Sequence, residues 1–195
     1  MKPYNGFKAQ KSAGAREILP AGGYVCRIDG AKVETYKTRN GGTMETLIWA
    51  IEVIEGEHAG FWKKDFDSQT GEDKKWRGTM RINLPKDDGS EQDSWTKRTF
   101  ENAMWALEDS NPGYTWDWDE KKLKGKIVGI IYRNREWEYN GNTGWTTEAG
   151  GVTSADDIRN GKFKPLKDKP LKNKSNQNNN SSSSFSDLSD GDLPF

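Results

Sequence analysis

The sequence predicts a mainly β protein, with one long helix set among its strands and a polar C-terminal tail. Three observations predict it. Short runs of β-forming residues are bounded by Asn-Gly and Gly-Gly turns. A single long stretch, 95–108, carries apolar residues at helical spacing. Residues 172–184 read KNKSNQNNNSSSS, which buries too little apolar surface to offset its ordering entropy and is expected to be disordered.

Residues 1–20 are polar and irregular, an arm with scattered Lys and Arg. A first strand is expected over Tyr24–Tyr36, and Asn40-Gly41-Gly42 turns it into a second over Met44–Ile54. That second strand is apolar on both faces, as a covered or closed sheet requires. Further strand material is expected over Phe61–Phe66 and again over Trp76–Leu84, where Trp76, Gly78, Met80, Ile82 and Leu84 share one face. The helix near Trp95–Glu108 turns Phe100, Ala103, Met104 and Leu107 inward and stops at Ser110-Asn111-Pro112-Gly113. A strand over Lys126–Tyr139 is turned by Asn140-Gly141 into a last strand around Trp145–Val152. Ser154 and Asn160-Gly161 mark the start and stop of a short helix. A helix between the third and fourth barrel strands, with two strands after it, is the order of an OB-fold, a five-stranded Greek-key barrel that binds oligonucleotides or oligosaccharides. The expected organisation is an arm at 1–20, a barrel domain at 21–166, and a linker with a terminal tip at 167–195.

Composition narrows the chemistry. Lys plus Arg and Asp plus Glu number 30 each, so net charge is zero. Nucleic-acid binders usually carry a basic excess, so any case for DNA rests on how charge is distributed. One cysteine, Cys26, excludes an internal disulfide and a cysteine-rich zinc site, and one histidine, His58, excludes a two-histidine metal site; its context, Glu55-Gly56-Glu57-His58-Ala59-Gly60, reads as an exposed strand connection. Asp65 and Asp67 fall short of a calcium loop because Gly71 comes one place late, and Asp117/Asp119 and Asp156/Asp157 read as turn and helix-start residues. No phosphate-binding glycine loop is present. The expectation is a non-enzyme without metal or cofactor. Neither a signal peptide nor an apolar run long enough to span a bilayer stands out, so a cytoplasmic protein with no membrane partner is expected.

Candidate ligand contacts come from cations interleaved with rings. On Lys126–Tyr139 the odd positions carry Arg133, Arg135, Trp137 and Tyr139, which alternation puts on one face. Single-stranded nucleic acid takes that mixture, cations for phosphates and flat rings for bases. Arg77 and Arg81 line the polar face of the third strand. Tyr36, Lys37 and Arg39 sit at the first hairpin, and Trp62, Lys63 and Lys64 form another aromatic-basic cluster. Of the nine Trp, Trp49, Trp76 and Trp105 are expected to be structural, while Trp62, Trp137 and Trp145 are candidates for base stacking. A carbohydrate module, where Trp also stacks, is the alternative.

The chain ends Asp190-Gly191-Asp192-Leu193-Pro194-Phe195. A Phe at the end of a polar tether contributes nothing to folding. It suits a bait whose ring fills a partner's pocket while Asp190, Asp192 and the terminal carboxylate meet Lys or Arg. This tip resembles the acidic C-terminal tip of bacterial single-stranded DNA-binding proteins. The body resembles the single-stranded DNA-binding proteins of phages of Gram-positive bacteria, through Leu107-Glu108-Asp109-Ser110-Asn111-Pro112-Gly113-Tyr114, Leu123-Lys124-Gly125-Lys126-Ile127-Val128-Gly129 and Ile158-Arg159-Asn160-Gly161-Lys162-Phe163-Lys164. The resemblance implies an OB-fold, single-stranded DNA binding without enzymatic activity, and recruitment of phage or host replication and recombination proteins through Leu193, Pro194 and Phe195. It leaves homo-oligomer formation open. Gly191 between the aspartates departs from the cellular pattern and thins the tip's acidity.

Overall fold

The computed structural model describes residues 16–38, 41–70 and 72–171. Expectations for the first part of the arm, for Arg39 and for the tail with its tip lie outside the described residues. The described chain is mainly β, with elements in the order β1 (Gly22–Lys37), β2 (Thr43–Val53), α1 (Phe61–Ser68), β3 (Thr79–Asn83), α2 (Glu91–Ser110), β4 (Ile127–Tyr139), β5 (Asn142–Thr153) and α3 (Ala155–Arg159). A 3-10 turn, Glu120–Leu123, precedes β4.

All strands join one antiparallel sheet of five, ordered β3-β2-β1-β4-β5. The long β1 serves both halves, pairing β4 through Gly22–Arg27 and β2 through Cys26–Lys37. Asp29 is the extra residue of a bulge between Ile28 and Gly30. Beyond it the inward set passes from Cys26 and Ile28 to Ala31, opposite Trp49. The edge strands β3 and β5 approach each other without joining in a ladder, so the sheet is curled but open. Cys26 is fully buried, as its place on an apolar strand face predicts, and burial pushes its thiol well above the ordinary range.

The β4–β5 hairpin follows its turn signal. In the β4–β5 loop Asn140 and Gly141 have φ of 49° and 76°, so a two-residue loop sets Tyr139 opposite Asn142. Helix α2 covers the core with Phe100, Ala103, Met104 and Leu107. It begins four residues before the sequence-based start because the Ser90 side chain caps it, accepting from the Asp93 amide at 3.1 Å. At its other end Asn111 ties the helix to β4, donating to the carbonyls of Leu107 and Ile127 at 2.7 Å and accepting from the Ile127 amide at 2.9 Å. Helix α3 is capped by Ser154 as expected.

Two expectations are corrected. Phe61–Phe66 is helix rather than strand. Its cap comes from β2 and not from the neighbouring sequence: the buried Glu52 carboxylate accepts from the amides of Trp62 at 3.0 Å and Lys63 at 2.7 Å. The helix N-cap is Gly60, which offers no side chain. The third strand spans Thr79–Asn83 and not Trp76–Leu84. The Trp76 indole turns back to the Gly78 carbonyl at 3.0 Å, although Met80 and Ile82 face inward as the alternation predicts.

The described chain does not end with α3. Phe163 and Leu166 pack on the outer side of the sheet where Gly23, Gly150 and Gly151 leave room, and Ile158 lies against Gly129. A Cβ at Gly129 would stand 2.6 Å from both Ile158 and the Ser154 carbonyl. Residues 167–171, which the sequence-based division places in the linker, run along the free edge of β4. There the Lys169 amide donates to the Asn134 carbonyl at 2.8 Å and the Glu136 amide to the Lys169 carbonyl at 2.9 Å. At the other end of the chain Leu19 is buried in the core, and its carbonyl accepts from the Thr147 hydroxyl at 2.6 Å.

Candidate functional site

The outer half of β4 carries the most concentrated arrangement. Arg133, Arg135, Trp137 and Tyr139 alternate onto one face. Opposite them on β5 stand Glu148, Thr146, Gly144 and Asn142. Glu148 gathers the cations. Arg133 Nη2 lies 2.6 Å from its carboxylate, Arg135 Nε 3.6 Å and Lys169 Nζ 3.7 Å. Trp137 lies over Gly144, where a Cβ would come within 2.7 Å of the indole, so the missing side chain makes the seat for the ring. Trp137 stays 38% exposed and Tyr139 63%. The face therefore offers partly buried cations at its base and accessible rings at its tip.

A second cluster spans β1 and β3. Arg81 Nη1 donates to the Tyr36 hydroxyl at 2.6 Å, and its guanidinium stands 5.4 Å from the centre of the Tyr36 ring. Tyr36 in turn donates to Glu34, which also pairs with Lys32. The Lys32 ammonium and then the Tyr36 hydroxyl hold the Glu34 carboxyl below its usual range. Lys37, at the end of β1, is exposed. Here the ring is already in contact with Arg81, so less of it is open than at Trp137.

The remaining sequence-predicted contacts do not join these clusters. Trp62 is a core residue at 5% exposure, corrected from its reading as a base-stacking ring. It stacks on Tyr132 with centroids 6.1 Å apart, donates to the Tyr132 hydroxyl at 3.2 Å, and closes against Gly78. Lys63 and Lys64 sit on exposed α1, paired with Asp67 at 2.7 Å and Glu17 at 2.8 Å. Arg77 reaches buried Asp65 at 3.3 Å, beside Arg16 at 2.9 Å, and so serves to anchor the residues before β1. Trp145 faces the other side of the hairpin, opposite Glu136, and does not share a surface with Trp137. Trp105 is 51% exposed on the outer side of α2, where a core position was expected, and Trp95 and Trp118 are more exposed still.

Sequence reasoning missed Glu148 and Lys169. Glu148 was within reach of it, because a two-residue loop at 140–141 pairs Arg133 with Glu148 by counting outward. Lys169 carries no local signal; only docking on the β4 edge brings it to Arg135.

Among the described residues no group of His, Cys, Asp and Glu is arranged to hold a metal ion, and no helix is long and apolar enough to cross a membrane. Compared with models of known protein families the chain matches none, and curated protein sequences likewise provide no match.

Proposed function

We propose that the chain is a single-stranded DNA-binding protein of OB-barrel type, which coats the strand without sequence preference and without enzymatic activity. The observation that carries this reading is the alignment of Arg133, Arg135, Trp137 and Tyr139 on one face of β4, two of the rings being accessible. The topology supports it. A sheet ordered β3-β2-β1-β4-β5, with α2 between β3 and β4 and with its edges drawn together, is what a five-stranded Greek-key barrel gives when opened at one seam. Both clusters lie next to loops that OB-folds use for oligonucleotides, those joining β1 to β2 and β4 to β5. The sequence resemblance to phage single-stranded DNA-binding proteins points the same way.

The test is a titration of intrinsic Trp fluorescence with a homopyrimidine oligonucleotide at two salt concentrations. Binding that weakens steeply as salt rises is expected, because displaced counterions drive it. A salt-insensitive response to oligosaccharide, with none to DNA, would replace this reading with a carbohydrate module. The terminal Asp190, Asp192, Leu193, Pro194 and Phe195 complete the proposal as a recruiting tip for replication and recombination proteins. Phe195→Ala should leave DNA affinity unchanged and lose a replication partner that the full chain retains from a bacterial host lysate. Equal retention by both forms would remove the tip's ring from the mechanism.

A further inference from the structure

We infer that Lys162, Lys164 and Lys167 form a track for backbone phosphates, laid across the outside of the sheet by the segment that follows α3. The inference rests on the single-stranded DNA reading and deepens it, by giving a strand seated at Trp137 a path along which to continue. Net charge is zero over the whole chain, so phosphate contacts require a local surplus of cations. Residues 158–167 supply one: Arg159, Lys162, Lys164 and Lys167 stand there without a carboxylate among them. Arg159 is committed to Glu55 at 2.6 Å and to Asp156 at 2.7 Å. The three lysines are exposed, and among the described residues their ammonium groups have no ion pair or hydrogen bond. Lys63, Lys64 and Lys122, by contrast, each meet a nearby carboxylate.

The lysines are held in place by what lies between them. Phe163 and Leu166 turn inward, Phe163 onto Gly23 of β1 and Leu166 onto Gly150 and Gly151 of β5. Pro165 has a fixed φ and favours extended backbone at Lys164. The segment therefore crosses the sheet from β1 to β5 with its apolar side chains down and its lysines exposed. It also meets the outer half of β4. A Cβ at Gly150 would stand 2.9 Å from Leu166 and 3.3 Å from Arg133 Nε, so these two side chains share one seat. Trp137 is four residues along β4 from Arg133 on the same face, about 13 Å away. A base stacked on Trp137 and phosphates running over Lys167, Lys164 and Lys162 can thus belong to one bound strand. Contacts of this kind fix the position of a strand and read no bases, in keeping with binding without sequence preference.

The test titrates the full chain with oligo-dT at several salt concentrations, and with poly-glutamate. Three variants are compared with it: Lys162→Ala/Lys164→Ala/Lys167→Ala, the same three positions changed to Arg, and Lys121→Ala/Lys124→Ala, which removes exposed lysines from the 3-10 turn before β4. The triple Ala form should bind oligo-dT about tenfold or more weakly at low salt. Its salt dependence should flatten by about 2 units, since each phosphate contact on a single strand contributes about 0.7. The triple Arg form keeps the charges and should bind like the parent, and the Lys121/Lys124 form should keep the parental slope. Parental affinity and slope in the triple Ala form would overturn the track while leaving the DNA reading intact. So would an equal loss per charge from the Lys121/Lys124 form, which marks a general effect of charge. Retained oligo-dT binding with lost poly-glutamate binding would assign the lysines to an acidic protein segment instead. Absence of oligo-dT binding by the parent itself would overturn both readings.

Discussion

Trp49→Ala should cost about 3–5 kcal/mol of folding stability, a large part of what a domain of this size has to lose. Trp49 is fully buried on β2, between Ala31 of β1 and Met80 of β3 in the ladder, and it belongs to the single cluster formed by sheet and α2. Truncation removes the largest wholly buried side chain and leaves a cavity that neighbouring strands, fixed by their hydrogen bonds, cannot close. Trp49→Phe separates shape from polarity. The indole N–H has no hydrogen-bond partner among the described residues, so its removal sacrifices no bond and the Phe variant should cost clearly less than the Ala variant. Trp105→Ala is the control. That ring is half exposed on α2, and its loss should change stability by about 0.5 kcal/mol or less. Denaturant unfolding of the three variants measures all of this. Similar losses from Trp49→Ala and Trp105→Ala would mean that the core is not centred where the packing puts it.

Trp137→Ala should weaken single-stranded DNA binding by about 1–3 kcal/mol while leaving the fold unchanged. The ring seats on Gly144 and has no side chain packed beneath it from that position, so truncation opens no cavity in the core. Trp145→Ala supplies the internal comparison, because its ring lies on the opposite face of the same hairpin, across from Glu136. A titration in which Trp145→Ala loses affinity and Trp137→Ala does not would assign the ligand to the other face of β4 and β5.

Much of the fold was legible because its signals are local. The Asn140-Gly141 loop, the inward residues of α2 and the Ser154 cap each depend on residues a few places apart, and each stands where the pattern puts it. Helix α1 was misread because its cap is Glu52, on a strand eight or more residues earlier, while the run Phe61-Trp62-Lys63-Lys64 lacks both a capping side chain and an acidic first turn. The candidate site divides in the same way. Arg133, Arg135 and Trp137 share a face by simple alternation, so the sequence shows them together. Trp62 looks the same on paper, a ring beside lysines, but it lies on the buried side of a helix with Phe61 and Asp65, which turns it to the core beside Tyr132. Lys169 reaches the site only through a tertiary strand contact, which alternation cannot register.

The glycines of the sheet bear on how binding is limited. With no side chains at Gly23, Gly129, Gly150 and Gly151, Ile158, Phe163 and Leu166 come down almost onto the backbone of β1, β4 and β5. The base of the β4–β5 hairpin is thereby gripped from outside by this layer and from inside by Val128, Ile130 and Tyr132. A hairpin clamped on both sides at its root pivots little, so the rings at its tip keep their spacing before any ligand arrives. Part of the ordering entropy that a flexible loop would surrender on binding has already been surrendered on folding. If the hairpin takes a single strand as proposed, it would act as a stiff comb into which a flexible polymer settles, with the loss of freedom on association falling mainly on the polymer.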